Sequence, residues 1–292
     1  MKILVTGVKG QLGFDVVNKL NKRNHEAIGV DIDELDITNQ ETVHQMLNDI
    51  KPEGVIHCAA WTAVDDAEDN VDKVMSVNRD GTRYIAEVCK GLDIPMIYIS
   101  TDYVFDGQGE TPWKPDDNRN PINVYGDSKY QGELAVEELL EKYYIVRIAW
   151  VFGQNGHNFI NTMLNLGKTH DKLTVVDDQV GTPTYTYDLA RLLADMIETD
   201  KYGRYHATNE GGYISWYDFT VEIMKQAGKY DEAYKKVEVL PVGSDNYPSK
   251  AKRPFNSRLD KSKLVKNGFE ALPDWKDALH RYLENRMNKL KR

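Results

Sequence analysis

Residues 1–13 constrain this chain more than any other stretch. Lys2 to Thr6 (KILVT) is a run of β-formers that leads straight into Gly7-Val8-Lys9-Gly10-Gln11-Leu12-Gly13, and a helical pattern follows to about Asn21. Glycines at 7, 10 and 13 allow a tight turn, let backbone N–H groups approach a pyrophosphate, and let the helix pack closely on the strand. A glycine triplet elsewhere would read only as a turn. Between an N-terminal strand and a helix it has the context that dinucleotide binding requires. His25 to Asp31 forms the second strand. Its terminal acid, Asp31, stands about where a carboxylate meets the adenosine ribose, a solvated loop acid being the alternative.

The order of elements extends this opening into an α/β fold. Thr38-Asn-Gln-Glu41 has capping-box spacing and starts a helix to about Asp49. The third strand, Val55 to Ala59, closes on Ala59-Ala60, small residues that admit a cofactor or simply pack well. An acidic loop (Asp65, Asp66, Glu68, Asp69) reads as solvated rather than metal-binding, and a long helix from about Val71 to Gly91 follows. Further strands at Met96–Ile99 and Tyr144–Ala149 complete a Rossmann-type, doubly wound parallel sheet. Beyond it, strand-like runs (173–176, 202–207, 237–242) alternate with helices near 187–198, 215–228 and 274–289. The expected division is a dinucleotide-binding domain, 1–153, and a smaller, interwoven α/β substrate lobe, mainly 154–292, with part of 170–210 returning to the first.

Chemistry concentrates between Pro95 and Lys129. The strand Met96–Ile99 ends in Ser100-Thr101-Asp102, and ligands of open α/β sheets bind just beyond strand C-termini. Tyr125 and Lys129, four apart at a helix start, share one face. An ammonium beside a phenol favours the phenolate and moves its pKa toward the operating pH, as a general acid/base requires. Alone, such a pair is an ordinary surface pair; the hydroxyl-bearing strand end and the glycine loop set it in a catalytic context. Lys250, Lys252, Arg253, Arg258, Lys261 and Lys263 form the most basic stretch, either a solvated face or a grip for a substrate diphosphate.

Composition narrows the function classes. A mean hydropathy of −0.57 and no long apolar run argue against a membrane span. A strand begins directly after Met1, so a cytoplasmic protein is expected. A net charge of −9 argues against a nucleic-acid partner. The two cysteines, Cys58 and Cys89, lack a CxxC arrangement and read as buried thiols, not as disulfide or zinc ligands.

Taken together, TGxxGxxG, the strand-end hydroxyl and YxxxK resemble the extended short-chain dehydrogenase/reductase family. STDYVFDG, YGxSK, RIAWVFG, DQVGTPTYTYDLA and RPFNSRLD are more closely similar to its dTDP-4-dehydrorhamnose reductases, over nearly the whole chain. The resemblance implies an oxidoreductase of dTDP-L-rhamnose biosynthesis that reduces a nucleotide-linked keto-sugar with NADPH or NADH. It implies Thr101, Tyr125 and Lys129 as the catalytic trio. Gly10, Gln11 and Leu12 would meet the pyrophosphate, and Asp31, Asp36 and Ile37 the adenosine. Ala60, Trp61 and Thr62, with Ala59 and Ser100, would line the inner ribose and phosphates. Thr101, Asp102 and Trp150 would face the sugar, Trp150 being otherwise core packing, and Arg253 and Arg258 would reach the substrate. Asp31 repels a 2'-phosphate whereas Lys9 neutralises one, so both cofactors are expected to serve. Some members couple dimerisation to magnesium; no convincing acidic set stands here, so no metal is assigned and a homodimer is left open. Two rival readings are a nucleotide-sugar 4-epimerase or dehydratase that recycles a held NAD, and a non-catalytic regulatory subunit like that of methionine adenosyltransferase.

Overall fold

The structure is a computed structural model that describes residues 1–290. Five strands, β1 (Lys2–Thr6), β2 (Glu26–Val30), β3 (Gly54–His57), β4 (Met96–Thr101) and β5 (Tyr143–Ile148), join a sixth, Gly203–His206, in one parallel sheet. Its order is Gly203–His206, β5, β4, β3, β1, β2. Every residue of β4 is buried, as a parallel strand covered on both faces requires.

On one face α1 (Gln11–Lys22) and the helix Thr186–Ile197 pack Val16, Leu20, Leu189 and Leu193 against Ile3, Val5 and Ile97. On the other, α2 (Gln40–Ile50) and the helices Gly81–Leu92 and Val124–Leu139 bring Val43, Leu47, Ile85 and Val136 against Leu4, Val55 and Tyr98. Each such aliphatic side chain, buried fully, contributes about 1.5–3 kcal/mol. The chain runs from β1 outward to β2, then restarts at β3 on the other side of β1. That reversal opens a crevice beyond the C-terminal ends of β1, β3 and β4.

The remaining chain builds a second core. The helices Phe159–Gly167, Trp216–Ala227 and Trp275–Leu290 and the parallel pair Lys172–Val176 with Glu238–Val242 enclose Phe152, Phe219, Trp275 and Tyr282. The strand Gly203–His206 and the helix Thr186–Ile197 pack instead with the first sheet. Among the described residues no helix is long and apolar enough to cross a membrane.

Three expectations change. The α2 cap is Asn39, which accepts from the Thr42 amide, and not Thr38, whose hydroxyl is taken by Asp36 at 2.7 Å. The helix expected over 71–91 passes through a π-helical segment, Ser76–Asp80, between Val71–Met75 and Gly81–Leu92. Within it Asn78 is buried, its side chain bonded to both backbone groups of Trp61. The acidic loop is not simply solvated: Asp65 accepts from the Ala251 amide and from Arg253 Nη2 (2.7 Å), and Asp69 pairs with Lys250. Opposite charges remote in sequence come together there, drawing off part of the basic stretch.

Candidate active site

The glycine loop lies at the floor of a cleft of about 670 Å³. Gly7 adopts φ +71°, a left-handed conformation natural to glycine. A β-carbon on Gly13 would stand 2.3 Å from the Gly7 carbonyl oxygen, so only glycine lets α1 start this close to β1. Gly10 caps α1 with no side-chain hydrogen bond, and Gly10, Gln11 and Leu12 line the cleft. Amides of an uncapped first turn suit an anion. This bare cradle fits a dinucleotide pyrophosphate.

Asp31 also lines the cleft; its Oδ2 accepts from the Lys9 amide at 2.8 Å, bracing the glycine loop. The Lys9 ammonium pairs with Asp33. Asp36 and Ile37 line the same end, Asp36 holding the Thr38 amide at 2.9 Å. Ala59, Ala60 and Thr62 form the wall beyond β3. Trp61 is absent from that lining. Its backbone is held by Asn78, at 2.8 Å and 3.1 Å. Gln11 has a second task, accepting from the Gly153 amide (2.8 Å) and Asn158 Nδ2 (3.0 Å).

The reactive groups meet where β4 ends. Thr101 caps the turn Asp102–Val104, accepting from the Tyr103 amide at 3.2 Å and donating to Asp102 Oδ1 at 3.0 Å. Asn123 caps the helix Val124–Leu139, so Tyr125 falls in its first turn and Lys129 in its second. Thr101, Asp102, Tyr125 and Lys129 all line the cleft, together with Trp150. Ser100 lines it too, although its hydroxyl donates to Glu133 Oε1 at 2.6 Å.

Electrostatics here differ from the sequence expectation. Burial pushes the Tyr125 phenol well above its ordinary value, with the Thr101 hydroxyl acting against it. Burial likewise pulls the Lys129 ammonium down to about 7, opposed first by Glu133. Lys129 Nζ lies over the Tyr98 ring, 4.1 Å from its centroid. Desolvation of each charged form is the leading effect on both groups, so the phenol stays a firmly protonated acid. Burial also raises Asp102 to about 6, with the nearby Ser257 and the hydrogen bond from Thr101 acting against it.

Trp150 takes φ +52°, which costs a bulky side chain on the order of 1–3 kcal/mol. It stacks on Trp216 with centroids 3.7 Å apart, and both pack against the second core. Arg253 and Arg258 stand outside the cleft lining. Arg253 bonds Asp65 and the Tyr103 hydroxyl (3.2 Å), just behind the lining residue Tyr103; Arg258 bonds Asn256 Oδ1 (3.0 Å).

Sequence reasoning missed Glu133, Arg147 and Arg119. Glu133 and Arg147 are fully buried and paired through two bonds of 2.8 Å, and Arg119 adds a third at 2.8 Å. A signal was present: an arginine inside the apolar run YYIVRI demands a buried partner, and Glu133 is one helical turn beyond Lys129. Among the described residues no group of His, Cys, Asp and Glu side chains is arranged to hold a metal ion.

Comparison with known proteins adds four findings. The profile described as "RmlD substrate binding domain" matches residues 1–288. A dTDP-4-dehydrorhamnose reductase of Aggregatibacter actinomycetemcomitans is 41% identical over 290 residues, 95% of this chain and 97% of that protein. Among solved structures, a dTDP-4-dehydrorhamnose reductase from Clostridium acetobutylicum superposes with a TM-score of 0.93 at 43% identity, covering 98% of this chain and 99% of that one. Another, from Bacillus anthracis and in complex with NADP, gives a TM-score of 0.91 at 39% identity, covering 97% and 99%.

Proposed function

Because this chain belongs to the RmlD substrate binding domain family, we propose that it is an NAD(P)H-dependent oxidoreductase that reduces dTDP-4-dehydro-L-rhamnose to dTDP-L-rhamnose. The observation that carries the reading is full-length similarity to reductases of that name, one of them in complex with NADP. The cleft that unites glycine loop, Thr101, Tyr125 and Lys129 supports it.

NADPH or NADH, when bound, supplies the hydride to the sugar C4. Gly7, Gly10, Gln11, Leu12 and Gly13 would hold the pyrophosphate, Asp31, Asp36 and Ile37 the adenosine end, and Ala59, Ala60 and Thr62 the inner part. The Thr101 hydroxyl orients the C4 carbonyl oxygen. The Tyr125 phenol donates its proton to that oxygen as charge develops on it; an alkoxide is far more basic than a phenolate, so a firmly held phenolic proton is still delivered downhill. Lys129 would hold the nicotinamide ribose and offset the phenolate charge. Asp102 and Trp150 would contact the sugar. Arg253, behind Tyr103, and Arg258 are the cations nearest in sequence motif for the diphosphate. In this reading residues 1–153 carry mainly the cofactor and 154–292 mainly the substrate, in a cytoplasmic protein.

The decisive experiment follows NAD(P)H oxidation with dTDP-4-dehydro-L-rhamnose beside a UDP-linked keto-sugar. Strong preference for the thymidine substrate is expected, and equal turnover of both would remove that assignment. NAD retained through purification, with no net NADPH consumption, would favour the epimerase reading. Activity with a purified single chain would exclude a purely regulatory role, and light scattering of that chain decides whether it is a homodimer.

A further inference from the structure

We propose that Glu133 is a positioning residue for the reduction: a buried carboxylate, clamped between β4 and β5, that holds the reactive helix in register and keeps Lys129 charged. The proposal rests on the functional reading above, since it assigns Lys129 a role in that site.

The geometry begins with helical spacing. Tyr125, Lys129 and Glu133 follow one another at four-residue intervals and so lie along one face of the helix Val124–Leu139. Ser100 on β4 and Arg147 on β5 are directly paired in the sheet, and both turn toward that helix. Glu133 receives both. Its Oε1 accepts from Ser100 Oγ (2.6 Å) and Arg147 Nε (2.8 Å), and its Oε2 from Arg147 Nη2 and Arg119 Nη1, each at 2.8 Å. Both oxygens of a fully buried group are thereby satisfied, and sliding the helix along β4 would break all four bonds at once. Glu137, the next carboxylate on this face, reaches the sheet only at its edge strand, through Arg204 Nε, and shares Arg119 with Glu133. Tyr98 adds a further tie, donating to the Lys129 carbonyl at 3.3 Å. Residue 101, which must face Tyr125, comes next after Ser100.

Charge gives the second part of the role. Lys129 is buried and makes no direct ion pair among the described contacts. Around it stand His57 and Cys58 from the end of β3, Tyr98 from β4, and Tyr125 and Glu133 from its own helix. His57 is held neutral, near 3, by burial and by Lys129 itself; Cys58 is pushed up to about 12 by burial. Glu133 is the anion of the group, kept at about 2 because Arg147, Ser100 and Arg119 outweigh the burial that opposes its charge. Two arginines share it, so its net field at Lys129 depends on both.

Glu133→Gln keeps the shape and an acceptor but removes the charge, leaving Lys129 and Arg147 without their anion, while Arg119 keeps Glu137 as a partner. Lys129 should then lose its proton more readily. The alkaline limb of kcat/KM, and of NADPH affinity read by cofactor fluorescence, should move down by about one pH unit, so the NADPH Kd above that limb rises about tenfold. Arg119→Gln removes a cation from the partly accessible side and should move both limbs the opposite way by a smaller amount. Opposed shifts support the proposal. A Glu133→Gln protein that melts earlier but keeps both limbs in place has lost only a structural tie, and the proposal falls. Where Glu133→Gln does not fold, Arg119→Gln decides alone: an upward shift supports the charge role and an unmoved limb overturns it. Wild-type protein that binds NADPH but never oxidises it with the keto-sugar refutes the functional reading instead, and the affinity limbs still test Glu133.

Discussion

Arg253 reaches across 188 residues of chain to Asp65, its Nη2 donating to Oδ2 at 2.7 Å. The Ala251 amide bonds the other oxygen of the same carboxylate at 3.0 Å. These contacts pin the start of RPFNSRLD to the helical turn Val64–Ala67, whose first residue lines the cleft. Both side chains are partly exposed, 31% and 46%, so the pair's own energy is modest. A double-mutant cycle with Asp65→Asn and Arg253→Gln, read by urea unfolding, should give a coupling of about 0.5–1 kcal/mol that shrinks with added salt. A coupling indistinguishable from zero at low salt would mean the contact is not maintained in solution.

Gly13→Ala should abolish cofactor binding and destabilise the fold. The added carbon would meet the Gly7 backbone at 2.3 Å, where no flexible side chain can yield. Overpacking of this kind costs about 1–3 kcal/mol, and here it also displaces the amides that open onto the cleft. Calorimetry and NADPH titration check both effects; a variant that binds NADPH normally would contradict the cradle.

Tyr125→Phe retains the ring beside Tyr103, whose centroid lies 5.5 Å away, and removes only the proton donor. Turnover should fall by about 10² to 10⁴, or roughly 3–5 kcal/mol of barrier, with NADPH affinity kept. Turnover within twofold of wild type, where chemistry limits the rate, would sink the proposed mechanism.

Asp31→Ala should raise activity with NADPH relative to NADH, because it removes a carboxylate from the wall expected to face the 2'-position. The same change frees the Lys9 amide, so absolute affinity for both cofactors should decline. An unchanged ratio of the two kcat/KM values would show that Asp31 serves only the loop.

Asp102→Asn should stabilise the protein at neutral pH while impairing catalysis. Burial raises the folded-state pKa of Asp102 from 3.8 to about 6, so the folded protein binds the proton more tightly than the unfolded chain. Its contribution is therefore most favourable below pH 3.8 and is lost as pH rises through about 6, by at most about 3 kcal/mol. The variant's advantage in Tm should be present at pH 8 and vanish near pH 4. A constant difference across that range would refute the linkage. Stability of this kind is commonly given up at sites kept for function.

The parts of this protein set by local spacing could be read without the fold. Gly7, Gly10 and Gly13 announce their turn because only certain backbone angles and approaches permit it, and Tyr125 and Lys129 share a face because the helix repeats every 3.6 residues. The run Met96–Ile99 declares itself buried because it is short, apolar and rich in β-formers. The folded structure decided the rest. Whether Asp65 meets solvent or Arg253, whether Trp150 stacks on Trp216, and which buried arginine Glu133 finds depend on which strands become neighbours and which loops cross them. So do the proton affinities of Tyr125 and Lys129: their spacing suggested mutual stabilisation, but the depth of burial, a property of the whole packed cleft, outweighs it.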